Sequence, residues 1–197
     1  MLPLIEEFYS LQGEGFNMGK PAYFARIGGC DVCCHWCDSK ESWDADKYPP
    51  VLTDTIIEHA GSYPAKSIVV TGGEPLLYNL DYLCSGLRQA GIKTFLETSG
   101  SSALSGDWDW ICLSPKKDAH PLTEIFKKAD ELKVIIEELP DLEWAEQNAK
   151  KVSSHCLLYL QPEWSRRNDM IPVIVEYIKS HPQWNISLQS HKYMRIP

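Results

Sequence analysis

The sequence predicts an α/β fold, a parallel sheet of about six strands with helices covering one face. Two observations predict it. Short apolar, β-branched runs such as Ser67-Ile-Val-Val-Thr alternate along the chain with helical stretches. Polar or glycine residues then recur just past one strand end after another: Gly72 and Gly73, Glu97 and Ser99, Ser114 and Lys116, Gln161, His191. In barrel-like α/β folds, sites gather at the carboxyl ends of the strands, and this recurrence has that pattern. About six strands are too few for a complete eight-stranded barrel. Neither a repeat nor a low-complexity tract or linker interrupts the chain, so its 197 residues are expected to form one domain.

The elements follow in order. Residues 3–9 read as an opening strand, and Ser10-Leu-Gln-Gly-Glu-Gly as a loop whose glycines let the backbone approach a ligand. Gln12 and Glu14 there offer an amide and a carboxylate suited to a guanidine-like edge, or else make a plain polar turn. Residues 21–28 form a second strand. Arg26 within it is either a clamp for a carboxylate or a surface charge on the open strand face. Thr53 to Ala60 is helical, with Thr53 as candidate N-cap. The strand from Ser67 ends in Gly72-Gly73-Glu74-Pro75, bare backbone at the sheet edge or a tight turn. Asn79 to Ala90 is a helix closed by Gly91. Strands follow at 92–97, 110–116, 132–137 and 156–162, with helices at 142–152 and 170–180. Pro172 is expected in the first turn of the last helix. The connections 98–109 and 117–130 look short or irregular, and 186–192 is expected to be a final strand.

The net charge of −8 argues against a broad phosphate-binding surface, so no nucleic-acid partner is expected. No run approaches the length of a membrane span, and the start lacks a basic secretory n-region, so a cytoplasmic protein is expected.

Cys30, Cys34 and Cys37 stand in the spacing C-x3-C-x2-C on one short loop. Three thiolates can hold three irons of a cubane cluster and leave the fourth iron open to a small molecule. A structural zinc site would need a fourth ligand from Cys33 or His35, both awkwardly adjacent. A disulfide framework suits short secreted chains better. Cys84, Cys112 and Cys156 fall in apolar stretches and read as buried small hydrophobes; Cys33 reads as a bystander.

The cysteine triad with Gly72-Gly73-Glu74-Pro75 resembles the radical S-adenosylmethionine superfamily. A fuller set resembles, within it, the 7-carboxy-7-deazaguanine synthases. The matching stretches are Ser10-Leu-Gln-Gly-Glu-Gly, Ala25-Arg-Ile-Gly-Gly-Cys, Cys37-Asp-Ser, Thr71-Gly-Gly-Glu-Pro, Glu97-Thr-Ser-Gly, Ser114-Pro-Lys, Tyr159-Leu-Gln-Pro and Ser187-Leu-Gln-Ser-His-Lys. They span nearly the whole chain. The resemblance implies a partial, pared-down (β/α) barrel with reduced helices, usually a homodimer. It implies conversion of 6-carboxy-5,6,7,8-tetrahydropterin to 7-carboxy-7-deazaguanine with loss of ammonia, in queuosine precursor biosynthesis. Cys30, Cys34 and Cys37 then hold a 4Fe–4S cluster, with S-adenosylmethionine on the open iron. An external electron donor such as flavodoxin or ferredoxin is implied as well.

By the same resemblance, Gly73, Ser114, Pro115, Lys116, Gln161 and Pro162 line the S-adenosylmethionine site, joined by Glu97 and Ser99. Leu11, Gln12, Gly13, Glu14, Arg26 and Thr71 fall on the substrate side. The magnesium site falls on Ser39, where the usual residue is Thr; Ser keeps the hydroxyl. Apart from the resemblance, if the last strand end faces the site, the terminal carboxylate of Pro197 is expected to accept a substrate hydrogen bond. Two other readings compete: an activase that makes a glycyl radical on a partner protein, and a non-catalytic zinc-binding protein.

Overall fold

A computed structural model describes residues 1–197, and its centre is a nine-stranded sheet in the order β3-β1-β2-β4-β5-β6-β7-β8-β9. β1 (Leu2–Leu11) pairs antiparallel with β2 (Pro21–Ile27) and with the two-residue β3 (Pro50–Val51). Six parallel pairings then join β2 to β4 (Ser67–Gly72), β5 (Lys93–Thr98), β6 (Trp110–Leu113), β7 (Glu131–Ile136), β8 (Leu157–Pro162) and β9 (Trp184–Ile186). The parallel part therefore has seven strands, where about six were expected, and the last, β9, is short and begins earlier than the final strand expected at 186–192.

The helices are α1 (Thr53–Ser62), α2 (Asp81–Gln89), α3 (Thr123–Lys128), α4 (Pro140–Ala149), α5 (Arg167–Ser180) and α6 (Ser190–Met194). The period-2 alternation of the strands assigns each face. On β2, Tyr23, Ala25 and Ile27 join the main core of 28 buried residues, together with Ile68 and Val70 of β4 and Leu132, Val134 and Ile136 of β7. Leu83, Leu87, Ile125, Ala145 and Ile174 come to that core from helices α2 to α5. Ala22, Phe24 and Val69 form a small separate cluster on the opposite face. That second face carries little apolar packing and many polar side chains.

Four sequence expectations are corrected. Beyond Ile186, which ends β9, residues 187–192 are not a strand. After β9 the Ser187 hydroxyl turns inward to Gln161 (2.6 Å), and Ser190 donates to the Gly13 carbonyl (2.6 Å), which diverts the backbone into α6. Pro172 lies inside α5 rather than in its first turn, because α5 already starts at Arg167, behind a single 3-10 turn at Trp164–Arg166. α1 has Leu52 as N-cap, with no side-chain cap, so Thr53 is already helical. The 117–130 connection contains a short helix, α3; residues 99–109 hold none, as expected.

Candidate active site

The carboxyl ends of the parallel strands frame a cavity of about 510 Å³. Every residue that the sequence assigned to the cluster, S-adenosylmethionine, magnesium or substrate lines it except Pro115, which is buried beside it.

Gly72 and Gly73 explain how one wall is built. A Cβ on Gly72 would stand 2.1 Å from the Ile27 carbonyl oxygen, and one on Gly73 would stand 2.0 Å from that of Gly29. Only glycine allows this approach, and at Gly72 φ is +134° as well. The Gly73 amide donates to the Ile27 carbonyl (2.9 Å) and the Glu74 amide to that of Gly29 (2.8 Å), so the end of β4 grips the start of the cysteine loop. Glu74 is 1% exposed. Its carboxylate accepts from Thr98 Oγ1 (2.6 Å), from the Ser99 amide (2.8 Å) and hydroxyl, and from the Leu76 amide (3.1 Å). The motif thus ties the ends of β2, β4 and β5 together, and the Gly73 carbonyl takes no hydrogen bond from the chain.

The cysteine loop runs from β2 to a 3-10 turn at Lys40–Trp43. It is pinned where the Gly29 amide donates to the Ser42 carbonyl (2.7 Å) and the Cys30 amide to that of Trp43 (3.2 Å). Cys30, Cys34 and Cys37 all face the cavity, and none is in a disulfide. Burial pushes the thiols of Cys30 and Cys34 up; at Cys34 the Lys116 ammonium works against that rise. Cys33 is exposed, with φ +51°, and donates to the Cys30 carbonyl (3.4 Å). His35 is 71% exposed and pairs with Glu137 (3.1 Å). Neither lines the cavity, so the two candidate fourth zinc ligands turn elsewhere. No three His, Cys, Asp or Glu side chains gather closely enough for one shared ion. Thiolates on three separate irons of a cubane stand further apart than ligands of one ion, so the triad suits a cluster better than tetrahedral zinc.

Opposite the loop lies a set of polar residues. Gln12 donates to Glu97 Oε1 (2.9 Å) and Thr71 to Glu97 Oε2 (3.0 Å). Glu97, expected on the cofactor side, is here bonded to two residues expected on the substrate side. Arg26 uses Nε on Glu6 across the β1–β2 pairing (2.7 Å), and its terminal nitrogens carry no bond from the chain. Ser99, also expected on the cofactor side, gives its hydroxyl to Glu74. Lys116 donates to the Ser114 carbonyl and hydroxyl (both 2.6 Å), and burial holds its ammonium below its usual range. The Ser39 hydroxyl caps no helix. Pro197 returns to the cavity wall, its carbonyl accepting from Ser10 (3.1 Å).

Two residues of the site, Lys133 and Glu131, were not singled out in the sequence. Lys133 and Glu131 point inward from β7, and Lys133 pairs with Glu14. Burial raises the Glu131 carboxyl, which accepts from the Phe16 amide (3.2 Å) and Trp110 Nε1 (3.1 Å). Asp38 accepts from Lys192 (2.6 Å) and Gln189 (3.1 Å), fastening α6 and the turn before it to the cysteine loop. The available signal was a charge inside an apolar strand, which had marked Arg26 but applies equally to Lys133.

Residues 25–111 match the Radical SAM superfamily. A Flavobacterium psychrophilum protein named 7-carboxy-7-deazaguanine synthase is 53% identical over the whole chain, which spans 93% of that relative. The chain belongs to the 7-carboxy-7-deazaguanine synthase family. A synthase of the same name from Synechocystis sp. is 45% identical over 98% of the chain and 93% of its own length. The crystal structure of QueE from Escherichia coli superposes with a TM-score of 0.87 at 28% identity, covering 96% of this chain and 94% of that one. The fold is accordingly the partial barrel of the radical S-adenosylmethionine enzymes. Superfamily membership brings a 4Fe–4S cluster and S-adenosylmethionine, and three cavity-facing thiols without a fourth are a fitting donor set. As to membranes, no helix is long and apolar enough to cross one.

Proposed function

We propose that this chain is a carbon–nitrogen lyase that converts 6-carboxy-5,6,7,8-tetrahydropterin to 7-carboxy-7-deazaguanine, releasing ammonia, within queuosine precursor biosynthesis. One observation carries the reading. Three cluster-spaced thiols and a carboxylate, amide and guanidinium set suited to a pterin face the same cavity. When bound, the cluster and S-adenosylmethionine supply one-electron cleavage of the sulfonium and, from it, a carbon radical that can take a hydrogen atom.

The protein binds, orients and excludes water. Cys30, Cys34 and Cys37 would hold three irons. The bare Gly73 carbonyl would accept from the amino group of S-adenosylmethionine. Ser99, Ser114, Lys116, Gln161 and Pro162, with Pro115 behind them, would form the rest of that wall. Glu14, kept as a carboxylate, and Gln12 would take the donors of the guanidine-like pterin edge. The terminal nitrogens of Arg26 would pair with the substrate carboxylate. Leu11, Gly13, Thr71, Glu97 and Pro197 would complete the substrate wall. Ser39 would give magnesium one hydroxyl oxygen, since that ion needs few protein ligands and keeps waters and substrate oxygens. Its role there would be that of a template.

The same proposal takes residues 1–197 as one domain, acting as a cytoplasmic homodimer reduced by a flavodoxin or ferredoxin. The test is an anaerobic incubation of reconstituted protein with reductant, S-adenosylmethionine, magnesium and the pterin, followed by mass spectrometry. Formation of 7-carboxy-7-deazaguanine, abolished in Cys34→Ala, is expected. Sulfonium cleavage with the pterin untouched would overturn the substrate and favour an activase.

A further inference from the structure

The alternation of β7 sends Leu132, Val134 and Ile136, each 0% exposed, to the helix side and turns Lys133 toward the cavity. An ammonium 5% exposed is costly to bury unless a specific partner meets it. Its one hydrogen-bond partner is Glu14 Oε2, 119 residues earlier, on the loop after β1. Burial disfavours both charges, yet the opposing charge wins on each side: Glu14 stays below the ordinary carboxylate range and Lys133 well above the ordinary lysine range. Glu14 lines the cavity beside Gln12, whose side-chain oxygen accepts from the Glu14 amide (3.2 Å).

We propose that Lys133 is a positioning residue for substrate: it fixes the Glu14 carboxylate, as an anion, on the wall where the donor edge of the pterin docks. The inference rests on the substrate reading above. A residue that binds only donors must arrive charged and already oriented, because a protonated carboxyl would present a donor to a donor. The other titratable groups facing the pair are His191 from α6, Glu97 from β5, Cys112 from β6, Lys116 just past β6 and Glu131 from β7. Burial keeps the His191 imidazole below its ordinary 6.5, so above that pH it adds no charge.

The test is calorimetric titration of 6-carboxytetrahydropterin into reconstituted protein loaded with S-adenosylmethionine, without reductant, so that nothing turns over. Lys133→Met should weaken pterin binding about tenfold or more, the loss of a charge-assisted anchor. The loss should deepen between about pH 8.5 and 6.5, because a buried carboxyl without its cation can titrate as high as about 8–9. Affinity for S-adenosylmethionine should stay within about twofold. Lys133→Arg should recover most of the pterin affinity, and Lys133→Met with Glu14→Gln should bind no worse than Glu14→Gln alone. If Lys133→Met does not fold, the Arg variant and the charge-neutral double variant decide in the same way. Wild-type affinity and pH profile in Lys133→Met, or additive losses in the double variant, would overturn the role. Failure of the wild type to bind pterin would instead bring down the substrate reading, and this role with it.

Discussion

Glu97 holds two neighbours in place at once, through Gln12 on one oxygen and Thr71 on the other. A hydrogen bond to a charged acceptor contributes about 1.5–3 kcal/mol. Glu97→Ala should therefore raise the KM for the pterin roughly tenfold or more, with a smaller effect on kcat, in steady-state kinetics at saturating S-adenosylmethionine. An unchanged KM would mean that Gln12 and Thr71 do not read substrate. Cys30, Cys34 and Cys37 stood out by their spacing, whereas Gln12 and Glu14 beside their glycines read as a polar turn until the resemblance put them on the substrate side. Lys133 was not legible, because Leu-Lys-Val-Ile-Ile reads as an ordinary buried strand. Its significance comes from a partner more than a hundred residues away. Glu97 was visible, but its bonding was not: sequence order placed it at a strand end without saying which neighbours its oxygens would meet.

At the level of elements, the Gly-Gly-Glu-Pro turn shows how a motif read as a ligand surface also has a mechanical task. Its two glycines let β4 touch β2, and its glutamate closes the ends of three strands. A Gly73→Ala methyl would meet the Gly29 carbonyl oxygen at 2.0 Å and Cys30 Cβ at 3.0 Å, and backbone cannot swing aside as a side chain does. The clash should displace the cysteine loop and cost about 1–3 kcal/mol. Iron and sulfide analysis after reconstitution should show a marked loss per chain together with a lower Tm. Full iron loading at wild-type Tm would refute this account of the turn. Strands β1, β2 and β4 to β8 were legible from their β-branched and apolar runs. The final segment was misread because Ile186 and Leu188 alternate as a strand would, while Ser187 and Ser190 make long-range bonds to Gln161 and Gly13 that local pattern does not reveal.

Across the whole molecule, the sheet separates two tasks. One face carries the large apolar core beneath the helices; the other keeps Glu14, Glu97, Glu131 and Lys133 around the cavity and the space just below it. The C-terminal segment completes the arrangement, since Lys192 and Gln189 reach Asp38 beside the cysteine loop while Ser190 holds Gly13. The overall architecture could be read from alternation and strand-end residues alone; this closure at the C-terminus could not. On this reading one cavity takes cluster, S-adenosylmethionine and pterin together. An anaerobic crystal structure of the reconstituted protein with S-adenosylmethionine, magnesium and 6-carboxytetrahydropterin tests it most directly. Expected there are a cubane on Cys30, Cys34 and Cys37, the pterin's guanidine-like edge on Glu14 and Gln12, and its carboxylate at Arg26. A zinc ion on those cysteines, or pterin bound away from Glu14 and Arg26, would contradict it.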